Sequence, residues 1–186
     1  MVNDFGFDSI QTIEMIVERR GYNMGEAKFY YKNNKAPKPN RPNSMGTSAI
    51  IEYNGKILLE KRTDSTRWAL IGGGLNIDES LEQCIIREIK EETALDVDEK
   101  SLYFWNIYSD PSRISEYPDG NIIRIITTVY LVELNSIHEL ICSEESLELR
   151  YFSYEELKKL NIAETHRHII DDYLVYKKND EKEEKI

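Results

Sequence analysis

The sequence predicts an α/β domain in which a mixed β-sheet lies between helical layers. Three observations predict it. Strand-like and helix-like segments alternate along the chain, two strand-like segments flank an Asn-Gly pair, and an amphipathic segment follows a run of glycines. At 186 residues the chain suffices for one domain with a buried core plus an appendage. The apolar share of 40% and the charged share of 31% are those of a globular protein. A net charge of −10 argues against non-specific binding to nucleic acid or to an anionic membrane. It leaves room for a phosphorylated small molecule, because a bound cation reverses the local sign. No apolar run reaches the length of a membrane span, and MVNDFGFDSIQ lacks the basic and apolar regions of a signal peptide. Two cysteines without Cys-x-x-Cys spacing, Cys84 and Cys142, fit a cytoplasmic, disulfide-free protein.

Residues 1–45 form an N-terminal helix and a linker arm. Asp8 or Ser9 caps a helix whose apolar positions are Ile10, Ile13, Ile16 and Val17, and Gly21 closes it. That helix packs on the core, mediates a homodimer or shapes substrate access, with packing favoured. KNNKAPKPNRPN, Lys32 to Asn43, has three prolines and no periodicity, as a linker or surface arm should. The main domain spans 46–176. TSAIIEY, Asn54-Gly55 and KILLEKR read as a hairpin with a type I′ turn. A short strand around Trp68–Ile71 leads into the glycines. Ser101–Ser109, Asn121–Leu134 and Leu147–Ser153 read as strands, with a turn-rich loop holding Pro111 and YPDG between the first two. Tyr154–Leu160 and Glu164–Tyr176 read as helices, and 177–186 as a charged flexible tail.

The helix after the glycines begins near Asp78 or Glu79. Leu81, Cys84 and Ile85 share one stripe, whose extension reaches Glu88, Glu91, Glu92 and finally Leu95. A solvated charged face should lie opposite the apolar stripe, yet here the glutamates continue it. Carboxylates at i, i+3 and i+4 repel one another, which a hard divalent cation offsets. Arg87 and Lys90 point off the stripe.

Gly73, five residues, Glu79, seven residues and Arg87-Glu88-Ile89-Lys90-Glu91-Glu92-Thr93-Ala94-Leu95 closely resemble the Nudix box, matching eight of its nine specified positions. WALIGGG, Trp68 to Gly74, resembles the family's lead-in, and EESLELRYF its closing loop and strand. The similarity covers about residues 46–160. Ala94 stands where the box has a glycine in left-handed conformation, so alanine should cost about 1 kcal/mol or end the helix differently. Ile71 stands where the lead-in has proline, which should loosen the turn slightly.

The resemblance implies a Nudix-like α/β/α sandwich and hydrolysis of the pyrophosphate link in a nucleoside diphosphate derivative. It implies Mg²⁺ or Mn²⁺ on Glu88, Glu91, Glu92 and the Gly72 carbonyl, with Glu79 nearby, bound through water or supporting Arg87. Glu88 or a loop glutamate (Glu144, Glu145 or Glu148, with Glu145 favoured) would be the general base. Arg62 and Arg67 are candidates for phosphate contacts, and Trp68 and Tyr117 for stacking on a base or sugar, although Trp68 also suits the core. Arg124 is a weaker candidate. His166 and His168 read as non-catalytic and Cys84 as core. The substrate is a small nucleotide: ADP-ribose-like, a nucleotide sugar or a nucleoside triphosphate, with a capped RNA 5′ end least favoured by the acidic charge. The rival readings are a Nudix-fold module that senses a nucleotide metabolite without cleaving it, and an isomerase of isoprenoid diphosphates.

Overall fold

The chain enters its sheet earlier than the sequence suggests. In the computed structural model, which describes residues 25–183 and their side chains to 180, strand β1 (Lys28–Tyr30) pairs antiparallel with β6 (Ile114–Glu116). Part of residues 1–45, ahead of the linker expected over Lys32–Asn43, is therefore sheet. The helix expected around Ile10–Val17 lies outside the described residues. β2 (Ser44–Tyr53) turns through Asn54 and Gly55, at φ 48° and 69°, into β3 (Lys56–Arg62), as the hairpin reading requires.

β4 (Trp68–Ala69), helix α1 (Leu81–Thr93), a short 3₁₀ turn, β5 (Tyr103–Tyr108) and β6 follow. Then come β7 (Ile122–Glu133), β8 (Ser146–Ser153), the short α2 (Tyr154–Leu157) and α3 (Glu164–Glu183). The turn-rich loop contains β6, which pairing with β7 and β1 stabilises. The expected helix over 154–160 stops at Leu157. α3 runs on to Glu183, so part of the expected flexible tail is helical.

The sheet is mixed. β2 lies parallel to β7 over nine residue pairs, Ser44↔Ile125 to Glu52↔Glu133, and antiparallel to β3 at the hairpin tip. β3 also pairs with β4 and β8, and β7 divides its other edge between β6 and β5. Because β2 and β3 are covered on both faces, they read as continuous apolar runs. Ala49, Ile51 and Leu58 face α1 through Ile85 and Ile89. Ile50, Ile57 and Leu59 face α3 through Ile169, Ile170 and Tyr173. The result is a sheet between helical layers. Among the described residues no helix is long and apolar enough to cross a membrane.

Candidate active site

The acidic helix starts later than the expected Asp78 or Glu79. Ser80 caps it, accepting from Gln83 N at 3.2 Å, while the Gln83 side chain accepts from Ser80 N at 2.8 Å. Its buried residues are Cys84, Ile85, Ile89, Glu92 and Thr93. Glu92 thus continues the core face, and Glu88 sits at its edge with a side chain 13% exposed. Glu91 does not, since its side chain is 59% exposed, and Ile89 occupies the core in its place. The reading that put all three glutamates on the stripe holds for two.

Ala94 ends the helix in the left-handed conformation itself, φ 63°, and its N–H donates to Lys90 O. The expected change of backbone does not occur. Neighbouring bonds over-determine the cap: Thr93 Oγ1 donates to Ile89 O at 2.6 Å and accepts from Leu95 N, and Ile141 N donates to Thr93 O. Ile71 likewise does not loosen its turn. It is fully buried against α1, and Ala49 N donates to its carbonyl at 2.8 Å.

The glycine loop is set down on β2 and against α1. A Cβ on Gly72, whose φ is 149°, would lie 2.2 Å from Thr47 O, and one on Gly73 would lie 2.2 Å from Glu88 Oε1. Only glycine lets the loop meet the strand and the Glu88 carboxylate this closely. Gly72 N donates to Glu92 Oε2 at 3.0 Å, tying loop to helix. Glycines 72–74 and Glu88, Glu91 and Glu92 wall a cleft of about 530 Å³, with Arg62, Arg87 and Tyr117 and the loop residues Ser143, Glu144 and Glu145. That volume suits a small-molecule ligand.

Arg87 organises the acids, contrary to the expectation that it points away. It makes a fork on Glu79 (Nε to Oε2 2.9 Å, Nη2 to Oε1 2.7 Å), and its Nη1 reaches Glu88 at 2.8 Å and Glu91 at 3.0 Å. The Arg87 bond holds the Glu79 carboxyl at about 2, below the usual carboxylate range. Burial instead pushes Glu92 up to about 9, aided by the charge of Glu60, and burial also raises Glu88.

Among the described residues, no three His, Cys, Asp or Glu side chains stand close enough together to bind an ion. Arg87 holds Glu88 and Glu91, and Gly72 N–H holds Glu92. The donor set is nevertheless all oxygen, with buried carboxylates sharing one cleft, and that chemistry fits a hard divalent cation.

The remaining candidates divide. Arg62 reaches the cleft, held by Asp64 (Nε to Oδ1 2.9 Å, Nη2 to Oδ2 2.6 Å). Tyr117 also lines the cleft, as does Glu145, whose carbonyl accepts from Thr63 N and Oγ1. Arg67 does not, because it ion-pairs with Glu164. Trp68 does not either. It is 8% exposed and packs edge-on against Phe152 at 4.6 Å, so it is core rather than a stacking platform. Glu148 pairs in register with Lys61 on β3 and does not line the cleft.

Beside the site are Glu60, which the sequence reading did not single out, and His166, which it read as non-catalytic. Glu60 is 1% exposed, accepts from Ser146 Oγ at 2.6 Å and adds its charge to that of Glu92. Its signal was available: Leu58 faces α1, so strand alternation puts Glu60 on the same face. His166 lines a recess adjoining the cleft, with Nδ1 accepting from Leu70 N at 3.0 Å. No local pattern announces that contact.

A domain model described as NUDIX domain matches residues 43–173. An ADP-ribose pyrophosphatase of Methanocaldococcus jannaschii is 35% identical over 137 residues, 72% of this chain and 75% of that protein. The nucleoside triphosphatase NudI of an Enterobacter species is 30% identical over 125 residues, 63% of this chain and 87% of that protein. Among solved structures, a Francisella tularensis bifunctional NMN adenylyltransferase/ADP ribose pyrophosphatase, complexed with AMP and a Mn ion, aligns with TM-score 0.62 and 26% identity. The alignment covers 76% of this chain but 43% of that one, less than half of the bifunctional protein. The NUDIX domain of Shewanella oneidensis NrtR, complexed with ADP ribose, shares the fold at TM-score 0.59 and 20% identity, over 77% of this chain and 94% of that one.

Proposed function

The chain belongs to the Nudix family, and from that premise we propose that it is a divalent-metal-dependent pyrophosphohydrolase acting on a nucleoside diphosphate derivative of ADP-ribose type. One observation carries the reading: carboxylates of α1 and the backbone of the glycine loop meet in a single cleft. The M. jannaschii relative's name supports the ADP-ribose class.

Glu88, Glu91, Glu92 and the Gly72 carbonyl would hold Mg²⁺ or Mn²⁺, which when bound neutralises phosphate charge and acidifies water. Arg87, anchored on Glu79, keeps Glu88 and Glu91 positioned. Glu145, exposed on the loop that joins the cleft wall, takes the proton of the attacking water. Glu88 is the alternative base, but its Oε1 is engaged by Arg87. Water adds to one phosphorus, the bridging P–O bond breaks, and two monophosphates leave. Arg62 steadies the phosphates and Tyr117 the nucleoside side of the cleft.

Assaying the full chain with ADP-ribose, nucleotide sugars and nucleoside triphosphates, with Mg²⁺ or Mn²⁺, tests this. ADP-ribose should be cleaved to monophosphates, and Glu92→Gln should lose at least about 100-fold in kcat. Cleavage of no compound, or an equally active Glu92→Gln, refutes the proposal.

A further inference from the structure

Glu60 places a carboxyl in the middle of the sheet. It pairs with Ala69 on β4 and Leu149 on β8, and it is 1% exposed on the face that α1 covers. A carboxylate is expensive there, and a leucine of similar volume would suit the core better. The cation it meets, Arg62, already spends its fork on Asp64. Burial raises the Glu60 carboxyl, and the charges of Asp64 and Glu145 add to the rise. Glu60 is not among the side chains that wall the cleft, so any effect on the site passes through its neighbours.

Those neighbours lead to two parts of the site. Glu60 Oε2 accepts from Ser146 Oγ at 2.6 Å, and Oε1 accepts from Arg62 Nη1 at 3.4 Å. Arg62 lines the cleft, and Ser146 directly follows Glu145, which lines it too. Residues 134–145, between β7 and β8, contain no helix or strand, so the Glu145 end of this connection depends on point contacts. The end of β3 supplies them: Thr63 N and Oγ1 both donate to Glu145 O at 2.9 Å, and Glu60 receives Ser146. Regular pairing does not replace these bonds, because the β3–β8 register shifts between Lys61 and Arg62. A carboxylate accepts on both oxygens, whereas glutamine would turn an N–H toward one of the two donors.

We propose that Glu60 is a positioning residue, a buried strut that holds the Glu145 turn and Arg62 at a fixed spacing through Ser146 Oγ and Arg62 Nη1. It rests on the hydrolase reading in taking Glu145 as the base and Arg62 as the phosphate contact. Base and phosphate must then be placed together, and a misplacement of about 1 Å costs roughly 100-fold in rate.

The test compares wild type, Glu60→Leu, Ser146→Ala and the double variant, each as the full chain. Three quantities are read: hydrogen exchange of the 143–146 amides without metal, Tm, and hydrolysis of ADP-ribose at saturating Mg²⁺. Exchange across 143–146 should quicken about tenfold in each variant, the loss of one hydrogen bond. The kcat should fall roughly 10–100-fold while KM moves less than about threefold. The double variant should be no slower than the slower single, because both substitutions break one link. With the buried carboxylate and its hydroxyl partner both gone, the double variant should melt no lower than wild type. Wild-type kcat in Ser146→Ala or the double variant, or unchanged exchange, overturns the strut alone. A kcat loss that tracks a lower Tm in the double variant assigns Glu60 to stability and overturns it as well. Faster exchange in the variants of a protein that cleaves no compound upholds the hold on the turn and overturns the hydrolase reading alone.

Discussion

Glutamine in place of Glu92 separates what the site costs from what it does. Glu92 is 6% exposed and pushed from 4.5 up to about 9 by burial and by Glu60. A carboxyl whose folded value is raised leaves stability intact below the unfolded value and erodes it as pH climbs toward the folded one. The window is therefore from about 4.5 to about 9, and stability falls through it. At pH 7.5, about 3 units into that window and at about 1.36 kcal/mol per unit, the penalty reaches about 4 kcal/mol. Glu60 shares it, so roughly 2–4 kcal/mol belongs to Glu92. Glutamine keeps an oxygen for Gly72 N–H and cannot ionise. Glu92→Gln should then raise the Tm of metal-free protein at pH 7.5 by roughly 4–16 °C for a chain of this size. Calorimetry in chelator from pH 4.5 to 9 measures it, and the gap should close at the acid end. A gap that stays constant with pH, or an unstabilised variant at pH 7.5, refutes the electrostatic reasoning.

Ala94→Gly should relieve the positive φ and add about 0.5–1 kcal/mol without changing kcat, read by denaturant unfolding and by the hydrolysis assay. Arg87→Lys cannot fork onto Glu79 and reach Glu88 and Glu91 together, so metal affinity should fall roughly 10–100-fold, measured by Mn²⁺ titration. Trp68→Ala should cost about 3–5 kcal/mol in unfolding with KM unchanged at a temperature where the variant is folded; a large KM effect would return Trp68 to the substrate.

What could be read in advance was local. Asn54-Gly55 specifies its own turn, and the spacing from Gly73 to Leu95 lies within one loop and one helix. The three-residue strands β1 and β6 were hidden because each exists only through its partner across the sheet. Trp68 and Arg67 fit a substrate role by residue type, yet Phe152 and Glu164, far along the chain, claim them. Glu60 needed only the strand period applied to KILLEKR. His166 needed the contact between the start of α3 and Leu70, just before the glycines, which no window of sequence contains.

The parallel ladder between β2 and β7 also governs how the molecule is made. Ser44 must find Ile125 with β3, β4, α1, β5 and β6 strung between them, and closing so long a loop precedes any reward from pairing. The glycine loop rests on β2 and its recess on β7, so the active cleft cannot mature on a nascent chain until β7 has left the ribosome. Until then the apolar runs of β2 and β3 stand uncovered, and synthesis rate and chaperone supply should decide the yield of active protein.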